Sequence, residues 1–316
     1  MANKKQGGNS NPAAKGTVPP KRRICGTMAV HSRLLEQDPG FGQRLVNLEQ
    51  LTARRMMAGL THKTGGTTTI PVVVHVVYNS DAENISDAQI QSQIVRLNLD
   101  YGAKNPDRKK APHVWSGLVT DARVQFALAT KDPKGKATNG ITRTKTAQTS
   151  FSDNDNVKSK AKGGADAWPS EKYLNLWACS LAGGLLGYAQ FPAGPAKTDG
   201  VVILNTAFGT KGTATAPFNL GRTATHEIGH WLNLHHIWGD TSHCEGTDFV
   251  NDTPNAQLPN YGKPKFPHIT CSNGPNGDMF MNYMDYVDDD SMVMFTTQQV
   301  ARMNAALDGP RSSIGK

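Results

Sequence analysis

The stretch TIPVVVHVVY, residues 69–78, is a nearly unbroken run of β-branched residues and predicts a buried strand. The pattern then changes period. In ISDAQIQSQIVRLNLDYG, Ile90, Ile94, Leu97 and Tyr101 fall on one helical face, and Ser86 with Gln89 forms a capping-box signal ahead of them. Upstream, MAVHSRLLEQ and FGQRLVNLEQLTARRMM carry short helical patterns, with Leu45, Leu48 and Leu51 near helical spacing, and GLTHKTGGTTT reads as a linker. Downstream, ARVQFALAT, YLNLWACSL, GYAQFP and TDGVVILN predict four strands; residues 131–170 are polar, with TSFSDNDNVKSKAKGGADAW as a long loop. NLGRTATHEIGHWLNL predicts a helix, followed by about 50 residues rich in Gly, Pro, Asp and Asn. TTQQVARMNAALD predicts a closing helix capped by threonine. This order predicts an α+β domain with a mixed sheet over residues 61–316, behind a separate segment, residues 1–60.

Composition adds few constraints. The 316 residues include 31 Gly and 18 Pro, which suits a loop-rich globular protein, and no apolar run approaches the roughly 20 residues of a membrane span. The net charge of +8 first points to nucleic acid, but residues 1–60 hold ten Lys/Arg against three Asp/Glu and the remainder is nearly neutral. A basic tail on a neutral domain is not a basic groove, so neither nucleic acid nor a membrane is an expected partner. Residues 1–20 read as disordered. The first 23 residues lack an apolar core and do not read as a secretory signal.

The chemistry is concentrated in ATHEIGHWLNLHHIWGD, residues 224–240. His226 and His230, four apart on a helix, lie one turn apart on one face and can share a metal; Glu227 sits beside them at a different azimuth, able to reach water there. His236 cannot join them along a straight helix. The helix must stop and the chain double back, which calls for a residue tolerant of positive φ, and Asn233 is placed for that turn. His235 is the neighbouring alternative ligand. A bare HExxH arises by chance; the third histidine and four of the ten histidines within eleven residues do not fit a helix whose imidazoles merely bond carbonyls.

HEIGHWLNLHH resembles the elongated zinc motif of the metzincin metalloproteases, with Asn233 in place of the usual glycine, and FMNYMDYVDDD, residues 280–290, resembles their methionine turn, with Met284 as its methionine. The combination is most similar to the pappalysin family, in particular its small prokaryotic members. The resemblance runs from IPVVVHVVY through LGYAQFP to MFTTQQVARM. It implies a mostly parallel twisted sheet with a backing helix and an active-site helix over an irregular lower subdomain. It further implies a secreted, monomeric zinc endopeptidase acting on proteins or peptides, with Glu227 as general base and Tyr286 stabilising the oxyanion. Gly187, Tyr188 and Ala189 would form the edge strand along which substrate lies, and Met284 a platform beneath the ligands. Among Asp288, Asp289 and Asp290, Asp290 is expected to receive Arg or Lys after the scissile bond. Arg54 and Arg55 would then mark where the enzyme frees its own domain.

The four cysteines separate by context. Cys25 lies in KRRICGT, a basic setting favouring thiolate, and would occupy the fourth zinc position in a latent form, as in the family's prosegments; a Cys25–Cys179 disulfide is the alternative. Cys244 and Cys271 lie in the irregular region and are expected to pair, leaving Cys179 as a buried thiol. The oxygen-rich loop GDTSHCEGTDFVNDTPN is not an EF-hand; by the resemblance, Asp248, Asp252 and Thr253 are the expected calcium ligands. Two other classes remain open from the residues: a zinc-stabilised binding module, which needs no Glu227, and a nucleic-acid binder, which would need residues 1–55.

Overall fold

The structure is a computed structural model that describes residues 20–62 and 66–315. The tail up to residue 19 and linker residues 63–65 lie outside the described residues. Two helices lead, α1 (Thr27–Gln37) and α2 (Phe41–Met57). Then come β1 (Thr68–Tyr78), α3 (Asp87–Tyr101), the single turn α4 (His113–Ser116), β2 (Val124–Leu128) and β3 (Ile141–Lys145). They are followed by β4 (Leu174–Cys179), β5 (Gly187–Ala189), β6 (Val201–Leu204) and α5 (Arg222–Trp231). The two-residue strands β7 (Tyr261–Gly262) and β8 (Tyr286–Val287) precede the last helix, α6 (Thr297–Asp308).

The sheet runs β2-β1-β4-β6-β5, with β3 extending the β2 edge of β1. Every pairing in it is parallel except β5 against β6, where Tyr188 faces Val202. Parallel strands expect cover on both faces. On one face Val72, Val74 and Val76 pack with Ile90, Ile94, Leu97 and Tyr101 of α3 and with Ala224 and Ile228 of α5. On the other, Trp177, Tyr188 and Val202 pack with Val30, Leu34 and Phe41 of the leading helices. The antiparallel β5 ends the sheet as a short edge strand beside α5.

Three local readings need adjustment. β3, ITRTK, lies in the polar stretch 131–170, ahead of the expected loop and where no strand is expected; its polar positions mask the strand period, and its register against Val74–Tyr78 of β1 is a non-local fact. Ser86 does cap α3, accepting from Gln89 N at 3.2 Å, but the Gln89 side chain does not return to close a box. It donates instead to Asn205 O and Phe208 O, 3.1 and 2.9 Å away, tying α3 to the segment after β6. The active-site helix starts at Arg222, behind Gly221 at φ +75°, rather than at Asn219. Below α5 the chain is irregular, and Cys244 pairs with Cys271 across it. Cys25 and Cys179 are both free thiols, so no bridge joins them, and Cys179 is buried in β4.

Candidate active site

Helix α5 carries His226 and His230 on one face, and its end is built by Asn233. At φ +74° Asn233 turns the chain back, with Leu234 N bonding to Gly229 O at 2.9 Å, and His236 comes up beneath the helix. The three Nε2 atoms converge: 3.2 Å between His226 and His230, 3.0 Å between His230 and His236, and 3.3 Å between His226 and His236. Each Nδ1 is committed elsewhere. His226 donates to Tyr283 O and His230 to Leu234 O, both at 2.7 Å, and His236 bonds Asp240 Oδ1 at 2.6 Å. A carbonyl only accepts, so these Nδ1 atoms carry the protons and the Nε2 lone pairs point at one another. Burial holds His226 and His230 neutral, far below the usual histidine range. Three buried lone pairs at such separations need a cation between them. With Cys25 Sγ in the same group, all within 4.8 Å, the donor set fits tetrahedral zinc. Among the described residues no other group of three or more such donors converges. His235 points away, stacked on Phe191.

The floor is set by two residues of the lower region. A Cβ on Gly229 would stand 2.5 Å from Met284 Sδ, so the glycine inside the histidine motif is the notch into which the methionine sulfur fits. Tyr286 packs edge-on to His236, ring centroids 5.0 Å apart, and lies 5.7 Å from His226. Burial, then the nearby Cys25 and Glu227, pushes its phenol well above the ordinary range, so it remains a proton donor.

Glu227 is buried, and that burial raises its carboxyl to about 7 against the opposing hydrogen bonds of Cys25 and Thr27. Cys25 Sγ lies 3.3 Å and Thr27 Oγ1 2.9 Å from Glu227 Oε2. The Thr27 hydroxyl also accepts from Ala189 N at 2.8 Å, so one oxygen spans the carboxylate and the edge strand. Residues 24–26 run parallel to β5, with Leu186 N donating to Ile24 O and Gly26 N to Gly187 O, both 2.9 Å. Gly187 is a second required glycine: its Cβ would meet Val202 O at 2.7 Å and Glu227 Cγ at 2.9 Å. Tyr188 turns to the opposite face of the sheet, buried with its hydroxyl unpaired.

Of the three aspartates after the turn, Asp289 and not Asp290 faces the site. Asp290 is part-exposed and pairs with Lys263. Asp289 is fully buried, accepts from Leu220 N and Arg222 N at the start of α5, and pairs with Arg23 Nη2 at 2.7 Å. Asp289 lies in the turn after β8 and is drawn inward by the amides before and at the start of α5, which a run of three identical residues does not reveal. The expected calcium ligands are not gathered at one point. Asp248 accepts from Thr253 Oγ1 at 2.7 Å, while Asp252 accepts from Thr296 Oγ1 and Gln298 N, at 2.7 and 2.8 Å, at the head of α6. Arg54 is exposed on α2, and Arg55 pairs with Asp308. Sequence reasoning missed Asp240 as the partner of His236, although its i+4 spacing was a usable signal, and missed Thr27 and Arg23, for which no local signal exists.

A buried carboxylate beside three converging imidazoles, under an edge strand along which residues 24–26 already lie extended, defines a zinc metalloendopeptidase of the metzincin type. Residues 156–308 match the family described as pregnancy-associated plasma protein-A. An extracellular metalloprotease of Arthroderma otae is 32% identical over 301 residues, 93% of each chain. A promirolysin variant of Tannerella forsythia superposes with a TM-score of 0.84 at 45% identity, covering 93% of this chain and 97% of that one. Mature Tannerella forsythia mirolysin in complex with a cleaved peptide gives 0.77 at 50% identity, covering 79% and 96%. The chain belongs to the pappalysin family.

Proposed function

We propose that the chain is the latent form of a secreted endopeptidase that cuts before Arg or Lys, with Glu227 as general base and Cys25 blocking the metal. The observation that carries this reading is the placement of residues 23–27 across the site, with Arg23 on Asp289, Cys25 among the imidazoles and Thr27 on Glu227. The fuller cover of this chain by the promirolysin structure, 93% against 79% for the mature form, supports it. The homologues' description as extracellular supports secretion.

His226, His230 and His236 would hold zinc, which when bound would supply a Lewis acid for the scissile carbonyl and the attacking water. Glu227 takes the attacking water's proton and then delivers it to the leaving amine. Tyr286 donates its phenolic proton as a hydrogen bond to the developing oxyanion. The substrate lies as an added strand, antiparallel to β5, against the backbone of Gly187 and Ala189. Asp289, rather than Asp290, pairs with the basic side chain after the scissile bond, the place Arg23 fills in the latent chain. Cleavage beside Arg54 or Arg55 releases the leading segment. Because Arg55 is tied to Asp308 and to His62 O, this bond is presented only when the last turn of α2 opens. Asp248, Asp252 and Thr253 together take calcium only if Asp252 leaves the head of α6.

The test is digestion of a mixed peptide library by the activated protein, with and without a zinc chelator, beside Glu227→Gln. Glu227→Gln is expected to lower kcat/KM by about 10²–10⁴-fold. Digestion by that variant at the normal rate, or new N-termini without Arg or Lys, would refute the corresponding part.

A further inference from the structure

One acidic side chain ties the middle of α2 to the catalytic part. Glu49 holds both terminal nitrogens of Arg302, at 2.7 and 2.8 Å, and also accepts from Asn233 Nδ2 at 3.0 Å. Arg302 stands on α6 and is 1% exposed; its Nε donates to Asn233 O at 3.2 Å and its guanidinium lies 5.3 Å from the Phe249 ring. The guanidinium is thus built into the turn that separates two metal ligands, and its carboxylate partner belongs to the leading segment. Asp248 is near enough to feel its charge, but its own oxygens are taken by Thr253 Oγ1 and Val250 N.

Beside this pair, α1 and α2 leave a groove of ≈ 470 Å³ whose catalytic wall is Phe191, Asn233, His235 and Phe249. That wall continues directly from the metal, since Phe191 packs edge-on to His230 at 5.5 Å and stacks on His235 at 4.9 Å. Phe249 forms its lip, with a half-exposed ring and φ +62°, a conformation costly for an aromatic residue and one that persists where surroundings fix it.

Chain direction places the groove relative to the scissile bond. Arg23 and Asp289 lie on one side of Cys25; on the other, Thr27 Oγ1 meets Ala189 N and helix α1 begins, its His31 packing against Phe191 at 5.1 Å. The two pockets flank the metal. With the Asp289 pocket taking the residue after the scissile bond, the Phe191 wall takes the residues before it. Loss of the leading segment uncovers this wall and leaves Arg302 without Glu49, the carboxylate that holds both its terminal nitrogens.

We infer that Arg302 is a specificity-determining residue of the mature enzyme: it binds an acidic side chain of the substrate, N-terminal to the scissile bond, where Glu49 sits in the latent chain. Glu49 is one-third exposed, so its vacated position opens to solvent. A planar guanidinium takes a carboxylate in two parallel bonds, and the apolar wall beside it strengthens them. The inference rests on the reading that the leading segment is removed and that Asp289 lies on the far side of the bond.

The experiment uses autolysed wild-type enzyme and peptides with one Arg fixed after the scissile bond, differing only in Glu against Gln at one of the second to fifth positions before it. Glu is expected to raise kcat/KM roughly 10- to 100-fold at one position, an advantage that salt reduces and that falls to near one in Arg302→Gln. Arg302→Lys, which keeps the charge, is expected to retain part of it. Cleavage of all peptides at equal rates by the wild type overturns the inference while leaving the protease reading intact. So does an undiminished Glu advantage in Arg302→Gln. Should that variant not fold, the wild-type ratio and its salt dependence still decide. No cleavage of any peptide would instead count against the protease reading.

Discussion

In the sheet, β1 is held by β2, β3 and β4 through backbone pairs, and its valines need only be apolar. Between Leu232 and Phe295 the paired strands β7 and β8 are two residues long, and turns, isolated backbone bonds and polar side chains supply the rest. Asp285 accepts from Asn260 N and Nδ2 at 2.8 and 2.9 Å. Asn282 and Gln299 exchange two bonds, 2.8 and 3.0 Å, that join the methionine turn to the head of α6. The site draws on both regions: β5 and α5 present Glu227 and two imidazoles, and the irregular part presents Met284 and Tyr286. The difference shows where sequence change is tolerated. A backbone ladder accepts any residue of suitable shape, whereas each polar side chain that replaces a ladder bond is specific and costly to lose when buried.

Three measurements would break or sharpen this contrast. The largest effect is expected from Cys244→Ser with Cys271→Ser. The closed loop spans 27 residues, and its release should cost about 3 to 4 kcal/mol by thermal unfolding. Zinc retention should fall along with stability, because the lower region positions the floor of the site; full zinc retention would detach the two. Next is an acid-induced loss in the sheet itself. His75, buried in β1 between Thr142 Oγ1 and Asn175 Oδ1, is pushed by burial down to about 4. The unfolded chain, titrating near 6.5, takes up the proton first, so stability is full above about pH 6.5 and is lost as pH falls towards 4, by about 3 kcal/mol. Denaturant unfolding at about pH 7 and about pH 4.5 measures the slope, and His75→Gln should flatten it. The smallest is Thr296→Ala, which removes a capping box closed by Gln299 and should cost about 1 kcal/mol.

The same contrast explains what could be read from the sequence. β1, α3, α6 and the histidine helix have periods or caps within ten or so residues, and each stands within a few residues of its expected place. Asn233 was readable because a turn between two ligands has a local steric requirement. Arg23 with Asp289, Glu49 with Arg302, and Arg222 with Asp107 join residues more than 100 positions apart, and no periodicity announces them. Asp240 stood between these cases. Its spacing from His236 was visible, but a loop crowded with oxygen donors offered a competing reading.

The Thr27 hydroxyl, placed between Glu227 and the edge strand, has a practical consequence. A reagent that alkylates Cys25 would change the sulfur and leave that oxygen, and the two helices behind it, where they are. On the proposed latency, thiol chemistry alone would be a poor key to this enzyme; the chain would have to be severed, not merely modified, before the cleft is free.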